Sequence, residues 1–243
     1  MILTDDQQNA VDVFLDFILD DTQSEMVISG SAGSGKTTLM KYLLEVLRSQ
    51  KNLYKLLLNS ADELSVYLTS TTHKAAKVLR TITREEVSTV HSLLGIRPYR
   101  NYKTGVETFK RSKDSRVIER ALVIIDEASM INEDLLDIIR KSTHKCKLLF
   151  IGDPYQLAPV FTNTCPVFDS VKTQAHLTKI QRQEADSPII TLFNKFKDAV
   201  DTAEFPRIKS VPGIIEHVSG PEMKKMVEDA YQQEHDIDDL RIV

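Results

Sequence analysis

The chain has no tryptophan and only two cysteines, Cys146 and Cys165, in 243 residues. The cysteines share no paired spacing and have no Cys or His cluster beside them. That excludes a disulfide framework and a zinc-type site, and it fits a reduced intracellular protein. No apolar stretch approaches the ~20 residues a membrane-spanning helix needs. Met1 to Gln8 lack both a basic and an apolar segment, so nothing marks secretion. Net charge is −4, so bulk charge does not advertise nucleic acid, and any such binding has to come from a local patch. What remains is a water-exposed α/β chain with an ordinary 42% hydrophobic content. It is long enough for one large domain, or for one domain and the start of a second.

Glycine is also scarce, at eight residues, yet three of the eight fall within Gly30 to Gly35. Residues 28–39 read Ile-Ser-Gly-Ser-Ala-Gly-Ser-Gly-Lys-Thr-Thr-Leu. An apolar run, Met26 to Ile28, precedes them, and an amphipathic pattern, Thr37 to Arg48, follows. A strand, a Gly-x-x-x-x-Gly-Lys-Thr loop and a helix make the context of a phosphate-binding loop. Gly30, Gly33 and Gly35 let the backbone take positive φ and approach a ligand. The amides of the loop, Ser34 and Thr38 included, then form a nest at the positive end of the helix. Lys36 reaches the β- and γ-phosphates, and Thr37 offers a hydroxyl to Mg²⁺. The cofactors expected are therefore ATP and Mg²⁺.

Upstream, Thr4 and Gln7 stand three apart and make a capping box, with Ala10, Val11, Phe14, Leu15 and Ile18 as the apolar face of a helix. On the residues alone, Gln7 is a cap. Val66 to Ser70 reads as a strand running into Thr72-His73, and Ser88-Thr89-Val90-His91 repeats that style. Leu122 to Ile125 is a buried strand ending in Asp126-Glu127. After a phosphate loop, such a pair supplies an Mg²⁺ ligand, Asp126, and a base for the attacking water, Glu127. Leu148 to Ile151 is another buried strand, and it stops in Gly152-Asp153-Pro154-Tyr155-Gln156. There Gln156 can hydrogen-bond a γ-phosphate or the attacking water. Arg182 is a candidate cation for charge developing on the transferred phosphoryl.

Residues 97–120 differ from the rest. Eight basic side chains stand against three acidic ones, a local net of +5, with Tyr99, Tyr102 and Phe109 interleaved. Lys103-Thr104-Gly105 is a turn signal, so a protruding basic β-hairpin is expected. A solvated basic loop is the competing reading. Helices are expected over Asp134 to Lys141, Pro188 to Val200 and Pro221 to Gln233. Leu240 to Val243 reads as a strand cut by the chain end, as in a truncated or split polypeptide.

Taken in order, these motifs resemble those of superfamily 1 helicases of the RecD-like subfamily. Leu3-Thr4 with Gln7 resembles the Q motif and Gly30 to Thr38 motif I. Thr72 to Ala76 resembles motif Ia, and Ser88 to Leu93 motif Ib. Asp126 to Met130 resembles motif II, Gly152 to Leu157 motif III, and Leu177-Thr178 with Arg182-Gln183 the arginine-finger motif. The matches run from residue 3 to about 183. The resemblance implies a RecA-like P-loop fold with a central parallel sheet flanked by helices. It implies a motor domain over residues 1–185, a small inserted pin at 96–120, and the start of a second RecA-like domain at 186–243. It casts Gln7 as the adenine reader and Thr72, His73, Thr89 and His91 as contacts to single-stranded DNA. Tyr102 or Phe109 becomes the aromatic that stacks on a base or wedges a duplex. Relatives often carry proline where this chain has Thr71, so the local DNA grip differs.

The activity so implied is ATP-dependent unwinding with 5′-to-3′ polarity. The implied partners are single-stranded DNA, duplex junctions and replication or recombination proteins. A cytoplasmic monomer is expected, in the host cytoplasm if phage-encoded. Later family motifs would lie past Val243, so the chain alone is expected to bind ATP–Mg²⁺, hydrolyse it slowly and not unwind DNA. Two other readings stand beside this one. A phosphoryl-transfer kinase would use the same loop but leaves Thr72-His73 and Thr89-His91 without a role. A nucleotide-gated regulatory DNA-binding module would retain binding without turnover.

Overall fold

A computed structural model describes residues 2–49, 64–100, 107–112, 115, 117–156, 165–179, 188–202, 204–212 and 214–232. The chain divides into two compact units, Met1–Gln183 and Glu184–Val243. The first unit opens with α1 (Asp5–Leu19), β1 (Glu25–Gly30), α2 (Lys36–Ser49) and β2 (Ser65–Ser70). Then come α3 (His73–Thr83), β3 (Val87–Thr89), α4 (Val90–Leu94), β4 (Ile96–Arg100) and β5 (Glu107–Arg111). β6 (Ile118–Glu119), β7 (Ala121–Asp126), a 3₁₀ turn (Ala128–Met130) and α5 (Glu133–Ser142) follow. β8 (Thr143–His144), β9 (Lys147–Gly152), α6 (Pro166–Ser170) and β10 (Thr173–Leu177) complete it.

Six strands form one parallel sheet in the order β10-β1-β9-β7-β2-β3. The central strands β1, β9 and β7 are apolar almost throughout because both of their faces are covered, as interior parallel strands require. Met26, Ile28, Leu68, Leu122, Ile124, Leu149 and Ile151 pack with α1, α2 and α3 residues on one face. Val27, Val123, Ile125, Leu148 and Phe150 point the other way, onto α4, α5 and α6 residues. The two sets alternate along each strand, the period-2 consequence of the pleat. Phe14, Phe17 and Phe150 have no exposed surface. Burial of side chains of this size contributes about 1.5–3 kcal/mol each, so the two faces together hold the sheet.

Because every strand runs the same way, six carboxyl ends gather at one rim: Gly30, Ser70, Thr89, Asp126, Gly152 and Leu177. Register keeps them level, with Ser29 opposite Gly152, Gly30 opposite Leu177, and Ser70 opposite both Asp126 and Thr89. Ligands of open α/β sheets bind at this edge.

β10 is not evident in the sequence. Thr-Gln-Ala-His-Leu is half polar, and it becomes a strand by pairing along β1 from Met26 to Gly30. The basic insert does form an antiparallel pair, β4 with β5, from Ile96–Arg111 to Arg100–Glu107. Its expected turn, Lys103 to Gly105, lies outside the described residues. The second unit holds α7 (Pro188–Thr202) and α8 (Gly220–Gln232). A single antiparallel bridge joins Val211 to Ile215 between them. The expected strand at Leu240 lies outside the described residues.

Candidate nucleotide site and DNA-facing edge

The phosphate loop is tight for steric reasons. A Cβ on Gly30 would lie 2.5 Å from Ser34 Oγ and 2.9 Å from the Leu177 carbonyl oxygen. Gly33 and Gly35 have φ of 83° and 87°, values that a side chain disfavours. The Lys36 ammonium donates to the carbonyls of Gly30 (2.6 Å) and Ser31 (3.1 Å). It is thus folded back on its own loop, at the start of α2. Burial pulls its pKa down, and Asp153, Asp126 and Glu127 pull it back up. Those three carboxylates therefore lie within electrostatic reach of the ammonium. Thr37 is half-buried and Thr38 exposed. Ser34 Oγ is buried and has no hydrogen-bond partner among the described residues, a state that costs about 1–3 kcal/mol. A phosphate oxygen in the cradle would satisfy it.

Asp126 closes β7. Burial first, then the neighbouring Glu127, pushes its pKa up to about 6, against the pull of Lys36. Glu127 has left-handed backbone, φ 56° and ψ 44°, which costs a non-glycine residue ~1–2 kcal/mol. Its carbonyl accepts from Thr71 Oγ1 at 3.2 Å, and the Asp126 carbonyl accepts from Thr71 N–H at 3.3 Å. Thr71 thus holds the acid turn to the exit of β2. Ser129 Oγ donates to Gln156 Oε1 at 3.4 Å, which brings the loop after β9 to the turn after β7. Among the described residues no cluster of three or more His, Cys, Asp or Glu is built to hold a metal. Mg²⁺ needs none, since it keeps several waters and takes one or two carboxylates plus phosphate oxygens. Thr37 and Asp126 suit that role.

Asp153 carries no role in the motifs above. Its side chain is buried at 1% exposure, and Oδ1 accepts from Tyr155 N–H at 3.0 Å. It is the strongest of the three charges acting on Lys36. The signal was present: an acid directly after β9, the strand that lies between β1 and β7.

Gln7 is 2% exposed. The capping box forms, with Thr4 Oγ1 accepting from Gln7 N–H at 3.4 Å and Gln7 Oε1 accepting from Thr4 N–H at 3.2 Å. Its Nε2 has no partner among the described residues. The cap therefore leaves one buried donor free for a ligand. Arg182 lies outside the described residues.

The expected DNA contacts share the same rim, at the β2–β3 end. Thr72 and Thr89 are helix N-caps, and their hydroxyls accept from Ala75 N–H (3.2 Å) and Ser92 N–H (3.1 Å). The two threonines thus aim two helix starts at the rim as well as offering hydroxyls. His73 opens α3, exposed, while His91 is half-buried in α4. Burial, then the proximity of His73, lowers the His91 pKa. The Phe109 ring lies 5.1 Å from the His91 ring and is 46% exposed. In the ladder Phe109 pairs with Pro98, the third pair from Arg100–Glu107, beside the His91 imidazole. Tyr102 lies outside the described residues. Lys110 Nζ sits 4.0 Å above the Tyr99 ring, so basic and aromatic groups are interleaved on the hairpin.

The sequence matches the AAA domain family over residues 18–162. It is 31% identical over 186 residues to the uncharacterized protein R530 of Acanthamoeba polyphaga mimivirus, covering 68% of this chain and 35% of that one. It is 32% identical over 195 residues to the ATP-dependent DNA helicase dda of Enterobacteria phage T4, covering 77% and 41%. The crystal structure of Bacteroides sp Pif1 in complex with ADP-AlF4 superposes with a TM-score of 0.51 at 26% identity, covering 80% of this chain and 46% of that one. The chain thus spans about a third to two-fifths of the length of these curated relatives. No helix among the described residues is long and apolar enough to cross a membrane. With a phosphate loop, an acid pair and a buried aspartate at one rim of a six-stranded parallel sheet, the chain belongs to the AAA domain family of RecA-like, nucleotide-binding P-loop proteins, among the superfamily 1 helicases of the Dda, RecD and Pif1 type.

Proposed function

We propose that the chain is the ATP-hydrolysing motor of a DNA helicase that moves 5′ to 3′ along single-stranded DNA and opens duplex junctions. The observation that carries this reading is the convergence of charge on Lys36. Asp126, Glu127 and Asp153 come from two different strand ends and act on one ammonium, at the rim that also carries His73, His91 and Phe109. A kinase would have no use for that second cluster. Bound ATP–Mg²⁺ supplies the phosphoryl group and neutralises its charge. The chain's own groups then do the positioning. Lys36 exchanges its loop carbonyls for phosphate oxygens. Thr37 and Asp126 hold the metal, directly or through water. Glu127 takes the proton of the attacking water, and Gln156, tethered to Ser129, orients that water. Arg182 offsets charge that develops on the transferred phosphoryl. Gln7 reads the base.

On the DNA side, the capped starts of α3 and α4 meet phosphates, and Phe109 stacks on a base without regard to sequence. The unit from Glu184 onward is read as the start of the second RecA-like domain. A motor steps only when two such domains close on nucleotide and reopen. The polarity, the replication or recombination partners and the monomeric state follow the helicase resemblance. Two free cysteines accord with a reducing cytoplasm.

The test is ATP turnover with and without oligo-dT, by this chain and by any longer protein that carries it. Turnover raised at least tenfold by oligo-dT is the expected result for the longer protein. Turnover indifferent to DNA would point to a phosphotransferase, and nucleotide binding without turnover in both to a regulatory module.

A further inference from the structure

Asp6 stands next to the base reader and does more than begin a helix. Its Oδ1 accepts from Gln7 N–H at 3.0 Å and from the Thr4 hydroxyl. Its Oδ2 crosses 172 residues of sequence to accept from Thr178 N–H at 2.7 Å, Lys179 N–H at 3.0 Å and Thr178 Oγ1 at 3.3 Å. Burial pushes the Asp6 pKa up, but the Thr4 hydroxyl and the N–H groups of Lys179, Thr178 and Gln7 outweigh it and hold it at about 2. The carboxylate is therefore an acceptor at every working pH.

The two amides it captures follow directly on Leu177, the last residue of β10. Leu177 is paired with Gly30, and its carbonyl is one of the atoms that leave Gly30 no room for a Cβ. A short relay thus runs from Gln7 through Asp6, Thr178 and Leu177 to the phosphate loop. The Asp6 contacts to Thr178 and Lys179 are exposed, so water can replace them at little cost in stability. What water cannot supply is a set distance between the base reader and the cradle.

Gln7 is held on every side but one. Its N–H is bonded to Asp6 and Thr4, and its Oε1 receives Thr4 N–H. This fixes which end of the amide is which. Nε2 is a donor, and Oε1 keeps a second lone pair. Adenine offers a matching acceptor and donor at N7 and N6, whereas guanine offers two acceptors, N7 and O6.

We propose that Asp6 is a specificity-positioning residue: by tying the first turn of α1 to the exit of β10, it sets the place of the Gln7 amide relative to the phosphate loop and so sets the preference for adenine over guanine nucleotides. This rests on Gln7 reading the base. The test is competition of ATP and of GTP against a fluorescent ADP, with Mg²⁺, for wild type, Gln7→Ala, Asp6→Ala and Asp6→Asn, alongside thermal melts. Wild type is expected to bind ATP at least tenfold more tightly than GTP, and Gln7→Ala to bind both within about threefold. Asp6→Ala should behave like Gln7→Ala, through a weaker ATP Kd with GTP nearly unchanged, and should melt close to wild type. Asp6→Asn, which turns a donor toward one set of amides, should move the same way. If Gln7→Ala keeps the ATP preference, the base is read elsewhere and the proposal falls with that reading. If Gln7→Ala loses the preference while both Asp6 variants keep it, Gln7 stands as reader and the positioning role of Asp6 is overturned. Equal loss of ATP and GTP affinity in the Asp6 variants would reduce Asp6 to a structural tether and overturn it as well.

Discussion

Replacing Asp126 with asparagine should make the free protein more stable while destroying its activity. The Asp126 carboxylate has a folded pKa of about 6 against an ordinary 3.8. A carboxylate whose folded pKa is raised favours the unfolded state wherever it is ionised. That penalty is nearly complete above about pH 6, declines as pH falls, and disappears only below the unfolded value of 3.8. Two pKa units correspond to about 3 kcal/mol, a ceiling that already includes the attraction to Lys36. For a unit of this size 1 kcal/mol moves Tm by roughly 2–4 °C, so Asp126→Asn should raise Tm at pH 7.5 by up to about 6–12 °C. The assay is calorimetry in EDTA at pH 7.5 and again at pH 4.5, where the gain should shrink to about a third. Adding Mg²⁺ and ADP should stabilise wild type more than the variant, because asparagine is a poorer ligand for a hard cation. A variant that melts below wild type at pH 7.5 without metal would refute the reasoning. It would mean that the Asp126 charge is held by partners strong enough to outweigh its burial.

Lys36→Ala should abolish turnover with Tm unchanged within a few degrees, checked by phosphate release and melting; retained turnover would remove the phosphate-loop assignment. Gly30→Ala forces a Cβ against Ser34 and the Leu177 carbonyl, so nucleotide Kd should rise at least tenfold, with a loss of about 1–3 kcal/mol in denaturant melts from overpacking. Phe109→Ala should weaken binding of oligo-dT by about 1–3 kcal/mol, the worth of one stacked base, leaving ATP affinity unchanged; in a longer protein it should harm unwinding more than hydrolysis. Lys147 donates to the carbonyls of Phe17, Asp20 and Gln23 at 2.6–2.8 Å. Lys147→Met leaves these acceptors at the end of α1 without their cation and should cost about 2–3 kcal/mol by chemical denaturation.

Local signals made much of the chain legible. The phosphate loop, the Thr4–Gln7 capping box and the apolar strands that end at Asp126 and Gly152 are written in consecutive residues. Each depends on steric and hydrogen-bonding rules that act within a few positions. The same is true of the basic hairpin, whose turn signal and alternating residues lie within one short stretch.

Other features exist only once distant segments meet. β10 is a strand because β1 offers it an edge, and its own composition is half polar. Asp153 became a partner of Lys36 because β9 inserts between β1 and β7, an order that no local pattern encodes. Phe109 is a candidate wedge through the helicase resemblance, and the fold sets its ring beside His91. Asp6 reads as an ordinary acid in a first helical turn until the fold carries Thr178 and Lys179 to it. By itself the sequence determined the central apolar strands, the phosphate loop and the caps, because those choices are decided by near neighbours. Only the tertiary structure decided which charges act on one another, because electrostatic reach is measured through space and chain separation carries no information about it.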